Sequence, residues 1–125
     1  MKTLQGYIFS RDFMGERAPQ HVQNIVIRDY CRKNNFRYVL SATEYAMAGS
    51  DLMLKQMVQN FSAIDGVVAY SVFQMPEERQ KRRKIIELTL AANKEFHFAV
   101  EDMQIIDQAS ANRLEMLWLV KQHVQ

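Results

Sequence analysis

The stretch Ile64-Asp65-Gly66-Val67-Val68-Ala69-Tyr70-Ser71 restricts the fold more than any other part of the chain. A turn-forming Asp-Gly leads into a short apolar run rich in β-branched residues, and the run stops abruptly in polar ones. No polar-apolar alternation marks a solvated face. The run therefore reads as a strand covered on both faces, as in the interior of a parallel sheet. Parallel strands need crossover segments, and the helical patterns on either side supply them. Tyr70 and Ser71 then fall at the carboxyl end of the strand, where open α/β sheets bind ligands.

The same reasoning orders the rest. Residues 4–9, with Tyr7, Ile8 and Phe9, predict a first strand. A polar loop over 10–18 leads to Pro19, whose missing N–H suits the first position of a helix. Val22, Ile25, Val26, Asp29 and Tyr30 space out as one mostly apolar stripe, so a helix is expected over 19–33, closed by Asn34-Asn35. Residues 36–40 predict a second strand and 41–50 a loop. Ser50 or Asp51 is placed to cap a second helix with Leu54, Met57, Val58 and Phe61 inward. Pro76, followed by Glu77 and Glu78, predicts a third helix reaching about Asn93. Residues 95–100 predict a fourth strand ending at Glu101-Asp102. Residues 108–123 predict a fourth helix with Leu114, Leu117, Trp118 and Lys121 on a shared side. Strands alternating with helices imply one α/β domain over 1–125, a three-layer sandwich with helices on both faces of a four-stranded parallel sheet. The expected strand order is flavodoxin-like, 2-1-3-4, with the switch point between strands one and three.

Length and composition agree with this. At 125 residues the chain can bury one sizeable core, and 48% hydrophobic with 24% charged residues is a soluble globular balance. A net charge of +2 makes no demand for nucleic acid or an anionic membrane. The single Cys31 excludes an internal disulfide and fits a reducing cytoplasm. No apolar run approaches the roughly 18 residues of a membrane span. Residues 1–5 lack the hydrophobic region of a signal peptide. A cytoplasmic location with no membrane partner is expected.

In such a sheet the carboxyl ends of all four strands share one rim. Ser10, Arg11 and Arg17 follow strand one; Ser41, Thr43, Glu44 and Tyr45 follow strand two; Tyr70, Ser71 and Gln74 follow strand three; Glu101 and Asp102 follow strand four. For any single residue the competing reading is that loops are polar because they are solvated. As a group they suggest a site. Arg11 and Arg17, beside the N-terminus of helix one, suit an anion. Ser10, Ser41 and Tyr45 are the further substrate-binding candidates. Glu44 or Glu101 suits general acid–base chemistry, with Tyr70 and Ser71 orienting hydroxyls. The first loop has only Gly15 and lacks a phosphate-cradling glycine pattern. His21, His97 and His123 have no metal-ligand spacing and there is no Cys-x-x-Cys, so neither metal nor cofactor is expected. His97, between Phe96 and Phe98, reads as a packed histidine, and Cys31 as core. The run Arg79-Gln80-Lys81-Arg82-Arg83-Lys84 reads as a solvated face, with Arg83 the arginine preferred for turning toward the rim or a partner. The eight methionines read as gap-fillers.

Gly6-Tyr7-Ile8-Phe9-Ser10-Arg11, Gln20 and Gln23, Ser41-Ala42-Thr43-Glu44-Tyr45, Asp65-Gly66-Val67-Val68-Ala69-Tyr70-Ser71 and His97-Phe98-Ala99-Val100-Glu101 together resemble the sporadic carbohydrate cluster family. That resemblance implies surface-glycan or unusual-sugar metabolism, and a sugar phosphate or nucleotide-sugar as partner. The order of elements, the Gly-Tyr opening, the glutamine-bearing first helix and the apolar third strand also resemble the catalytic domain of serine recombinases (the resolvase and invertase family). Counting from Gly6-Tyr7, that family's nucleophilic serine falls on Arg11 and its strand-one arginine on Phe9. Its Asp-Arg-Leu-Gly-Arg type motif is replaced by Phe73-Gln74-Met75-Pro76-Glu77. This second resemblance implies the fold. Without the arginine cluster a phosphodiester transition state has no charge stabilisation, which argues against recombination and against nucleic acid as partner. Two readings follow: a cytoplasmic domain binding a small anionic metabolite, or a non-catalytic oligomerisation or regulatory protein on a recombinase-like fold. The apolar stripes of helix four, Trp118 included, fit either a homo-oligomer interface or ordinary core packing.

Overall fold

All four residues of the central strand, Gly66–Ala69, are buried, so the sheet is covered on both faces. The structure is a computed structural model that describes residues 1–124. In chain order the elements are β1 (Thr3–Phe9), α1 (Gln20–Lys33), β2 (Arg37–Glu44), α2 (Leu52–Gln59), β3 (Gly66–Ala69), α3 (Arg79–Ala91), β4 (Glu95–Phe98), β5 (Met103–Ile105) and α4 (Gln108–Val124). Single 3-10 turns lie at Phe61–Ala63 and Val72–Gln74. The sheet order is β2-β1-β3-β4-β5. The first four strands are parallel in the expected 2-1-3-4 order, and β5 is antiparallel to β4.

The fifth strand corrects the four-stranded expectation. The chain does not stay extended through Val100. It turns over residues 99–102, where the Asp102 N–H donates to the Ala99 carbonyl at 3.2 Å and Asp102 takes a φ of 51°. Aspartate tolerates that left-handed conformation better than most residues. The return strand pairs Met103 with Phe98 and Ile105 with Phe96. The second strand is also longer than expected, because it reaches Glu44. Opposite Gly6 it carries an extra residue: Val39 pairs with Gln5 but Ala42 pairs with Tyr7. A Cβ on Gly6 would overlap the Ser41 Oγ at this bulge, so only glycine fits.

Successive strand residues point to opposite faces. Leu4, Ile8 and Val68 face α1, which covers its side of the sheet alone with Ile27, Tyr30 and Cys31. The buried positions of α1 are Gln23, Ile27, Tyr30 and Cys31, a stripe rotated from the expected one, and Ile25 is exposed. Tyr7, Phe9, Val67, Ala69, Phe96 and Phe98 face the other way and pack on α2, α3 and α4 through Leu54, Met57, Ile85, Ile86, Leu114 and Trp118. Burial pushes the Cys31 thiol up to about 11. α3 begins at Arg79, not at Pro76, because Arg82 holds the preceding segment by the Pro76 carbonyl at 3.0 Å and the Glu77 carbonyl at 2.6 Å. No described helix is long and apolar enough to cross a membrane.

His97 is buried on the α1 side, with Nδ1 2.7 Å from the Tyr30 hydroxyl and Nε2 2.8 Å from a Glu95 carboxylate oxygen. A carboxylate only accepts, so Nε2 carries the hydrogen and Nδ1 accepts from Tyr30. Burial lowers the His97 pKa and outweighs the opposing pull of Glu95. The unfolded chain takes up this proton near pH 6.5 and the folded chain only at lower pH. The contribution of His97 is thus complete above that value and is lost as pH falls. For Glu95, burial alone would raise the pKa, but hydrogen bonds from Lys2 and His97 lower it, so its contribution is lost at still lower pH. The midpoint of urea unfolding should fall between pH 7.5 and pH 5, and His97→Gln should flatten that dependence.

Candidate functional site

Where the strand order reverses, β1 and β3 diverge and their last backbone groups lose the neighbouring strand. Two buried glutamines replace it. Gln23 accepts from the Phe9 N–H at 2.9 Å and donates to the Phe9 carbonyl at 2.9 Å and the Ala18 carbonyl at 2.8 Å. Gln74 accepts from the N–H groups of Tyr70 and Ser71 at 3.1 and 3.3 Å, and donates to Gln23 Oε1 at 2.7 Å. These bonds fix the floor of the rim.

On one side of that floor stands Glu44, buried at the end of β2. From the described residues it accepts five hydrogen bonds: the Tyr7 hydroxyl at 2.8 Å, the Ser50 hydroxyl at 2.9 Å, and the N–H groups of Tyr45, Met53 and Leu54 at 3.1, 3.2 and 3.2 Å. The last two are free donors of the first turn of α2, so Glu44 caps that helix from a distant strand. Neither expected residue does so: Asp51 occupies the N-cap position without a capping side-chain bond, and Ser50 serves Glu44. Burial alone would raise the Glu44 pKa, but the bonds from Tyr7, Met53, Ser50 and Leu54 lower it. Burial and the Glu44 charge push the Tyr7 hydroxyl up, so it stays protonated. This carboxylate is held ionised and has no proton to exchange near neutrality.

Arg11 lies beside it. One terminal nitrogen donates to the Tyr45 carbonyl and the other to the Ser50 carbonyl, both at 2.9 Å, and the guanidinium stacks 4.0 Å from the Phe9 ring centroid. It ties the loop after β2 to the loop after β1. Ser10 is exposed and donates to the Glu44 carbonyl at 3.2 Å. Tyr45 is exposed and contributes its carbonyl to Arg11. Ser41 is not at the rim. Because β2 continues to Glu44, Ser41 sits within the strand and donates to Asn24 of α1 at 2.7 Å.

On the other side, Ser71 donates to Glu101 Oε2 at 2.8 Å and the Val72 N–H to Oε1 at 2.8 Å. Arg17 makes no ion pair with Glu101 among the described residues; its side chain is 88% exposed and lies 4.0 Å from Asp12. The rim thus brings Ser10, Arg11, Glu44 and Tyr45 into one cluster, and Tyr70, Ser71 and Glu101 into another. A cleft of about 330 Å³ lies over the first, lined by Phe9, Arg11, Asp12, Asp51, Met75 and Glu77 among others. A second, of about 360 Å³, is lined by Arg17, Tyr70, Ser71 and Glu101. Phe13 and Phe73 line both. Among the described residues no group of three His, Cys, Asp or Glu is placed to hold a metal ion.

Solved structures resemble this arrangement. The N-terminal catalytic domain of TP901-1 integrase matches over 95% of both chains at 14% identity and a TM-score of 0.58. A resolvase family site-specific recombinase from Streptococcus pneumoniae matches over 96% of this chain and 89% of its own, at 8% identity and a TM-score of 0.67. The fold is resolvase-like. No family model and no curated protein matches the chain, so the likeness to the sporadic carbohydrate cluster family gains no support from either comparison. Arg11 and Phe9, which stand where the recombinase resemblance expects serine and arginine, stack on each other.

Sequence reasoning passed over Tyr7, Asp51 and Gln23 as rim residues. Gln23 carried a signal, since it falls four before Ile27 on the buried stripe of α1. Replacing Glu44 by Gln would turn an amide N–H₂ toward donors and leave buried groups unpaired. Glu44→Gln should destabilise the fold by about 2–3 kcal/mol, read from urea unfolding at pH 7.

Proposed function

We propose that this chain is a non-catalytic, recombinase-fold interaction domain that self-associates through the outer face of α4. The observation that carries this reading is the distribution of apolar residues around that helix. Leu114 and Trp118 are fully buried against the sheet, yet Met116 is 61% and Val120 58% exposed, with Leu117 and Leu119 exposed beside them. Residues 116–120 are thus apolar around the whole turn, and a contiguous exposed apolar patch of this kind marks a contact surface. The inner face is firmly seated. Arg82, itself buried, bonds both oxygens of Glu115 at 2.9 and 2.8 Å and stacks 4.3 Å from the Trp118 ring, whose Nε1 donates to the Val72 carbonyl at 3.1 Å. The outer face is therefore presented on a rigid element, which lowers the cost of association. The rim supports the same reading, because Glu44 and Arg11 serve internal bonds. At about 100 µM the protein should sediment as a dimer, and Met116→Glu with Val120→Glu as a monomer with unchanged helical content. A wild-type monomer at that concentration rejects the proposal.

A second reading is favoured by the cleft beside α1. There the exposed Arg17, the Tyr70 and Ser71 side chains and a first helical turn with no side-chain cap suit a small anion such as a sugar phosphate or nucleotide-sugar, with Glu101 as the acid–base group. Glucose 1-phosphate or UDP-glucose should then raise the melting temperature, and Arg17→Ala should abolish the rise. No shift with either compound removes this reading.

A further inference from the structure

α1 is the least firmly seated layer of the fold. Its buried apolar residues are Ile27, Tyr30 and Cys31, which pack on Leu4, Ile8 and Val68. The larger core on the opposite face of the sheet includes none of these six. α1 can therefore lift away as a unit without opening that core. Polar contacts hold it at both ends. In its first turns Gln23 takes the N–H and carbonyl of Phe9, each at 2.9 Å, and Asn24 accepts from Ser41 at 2.7 Å. Near its other end the Tyr30 hydroxyl meets His97 Nδ1 at 2.7 Å.

Of these contacts only the last involves a side chain that gains charge just below neutral pH. His97 is fully buried. Neutral, it is fully bonded: Nε2–H donates to Glu95 and Nδ1 accepts from Tyr30. A second proton goes to Nδ1, where the Tyr30 hydroxyl hydrogen already points. Two donors then face each other, and the hydroxyl must turn and give up the bond it donates. The surroundings do little to offset the new charge. Glu95 is the carboxylate in contact, and Lys2 also bonds it. From α1 come Tyr30 and Cys31, both kept protonated because burial pushes their groups up. Asp102, in the turn after β4, acts on Tyr30. The strand neighbours Val68 and Gln104 are uncharged, and the Phe36 ring lies edge-on at 4.8 Å. An imidazolium is thus better accommodated in water than in this pocket.

We propose that the Tyr30–His97 contact is an acid-released latch: protonation of His97 frees α1 from the sheet while the core on the opposite face persists. The release reaches the rim, because Gln23 leaves with α1 and gives up Phe9 and Gln74. Proton uptake at one end of the helix thereby disorders the floor of both clefts at the other. α4 packs on the opposite face, so the latch works independently of self-association.

The test is residue-resolved hydrogen exchange of the whole chain by NMR at pH 7.5 and pH 5.5, corrected for intrinsic rates. Once α1 is lifted, His97 has its ordinary pKa of 6.5, so the opening equilibrium of residues 23–33 should rise about tenfold between the two conditions. The Phe9 amide should follow α1, since its acceptor is Gln23, while the amides of β3, α2, α3 and α4 stay protected. His97→Gln should make exchange of α1 equal at both pH values. Tyr30→Phe removes the latch bond alone; it should loosen α1 already at pH 7.5, and it keeps the test decisive should His97→Gln fail to fold. The Met116→Glu, Val120→Glu double variant should exchange in α1 as the wild type does. Unchanged protection of α1 at pH 5.5 overturns the proposal. So do equal losses in α1 and β3, which mean global unfolding, a rise that persists in His97→Gln, or wild-type protection of α1 in Tyr30→Phe.

Discussion

Where β1 and β3 part, Phe9 and Tyr70 carry backbone groups that no strand reaches, and the side chains of Gln23 and Gln74 reach them instead. An amide side chain has the same donor and acceptor as a peptide group, so it can stand in for a missing strand. The link between the two glutamines joins α1 to the turn after β3 across the switch point. The loop after β1, the start of α1 and the turn before α3 all take their positions from it. Both clefts at the rim are bounded by segments that this pair holds. Breaking it would leave buried donors unpaired, and the low dielectric around them makes that loss large.

The rest of the rim is built by the same economy of polar groups. Glu44 gathers donors from β1, from the loop after β2 and from the first turn of α2, and Arg11 clamps the loop from above. In this chain a resolvase-like frame has its strand ends turned into internal structure. Phe9 and Arg11 belong to the same internal structure, the guanidinium stacking on the ring while its terminal nitrogens hold the Tyr45 and Ser50 carbonyls.

Much of the frame was legible in the sequence. The run ending in Tyr70-Ser71 announced a doubly covered strand, and the alternation of patterns announced the order β2-β1-β3-β4. What escaped had physical causes. β5 is three residues long, too short for any periodicity, and its partner was credited with two residues that belong to the turn. β2 was cut short because Ser41 and Thr43 read as loop, although a bulge over Gly6 accommodates them in the strand. The inward arginine of α3 is Arg82 and not Arg83, since its partner Glu115 comes from a helix 33 positions away and no local pattern marks such a pair. At the rim, residue types were read correctly as polar, but Glu44 and Arg11 are oriented by donors and carbonyls that only the fold brings near.

The two outer strands of the sheet have a consequence of their own. An open sheet has two edges, and an unguarded edge is a template for adding another strand. At one edge here β2 is interrupted by the bulge at Gly6, and at the other β5 is a three-residue antiparallel strand. Bulges and very short edge strands are the devices that deter strand addition. Growth of the sheet into a fibre or a strand-swapped pair is thereby discouraged at both ends.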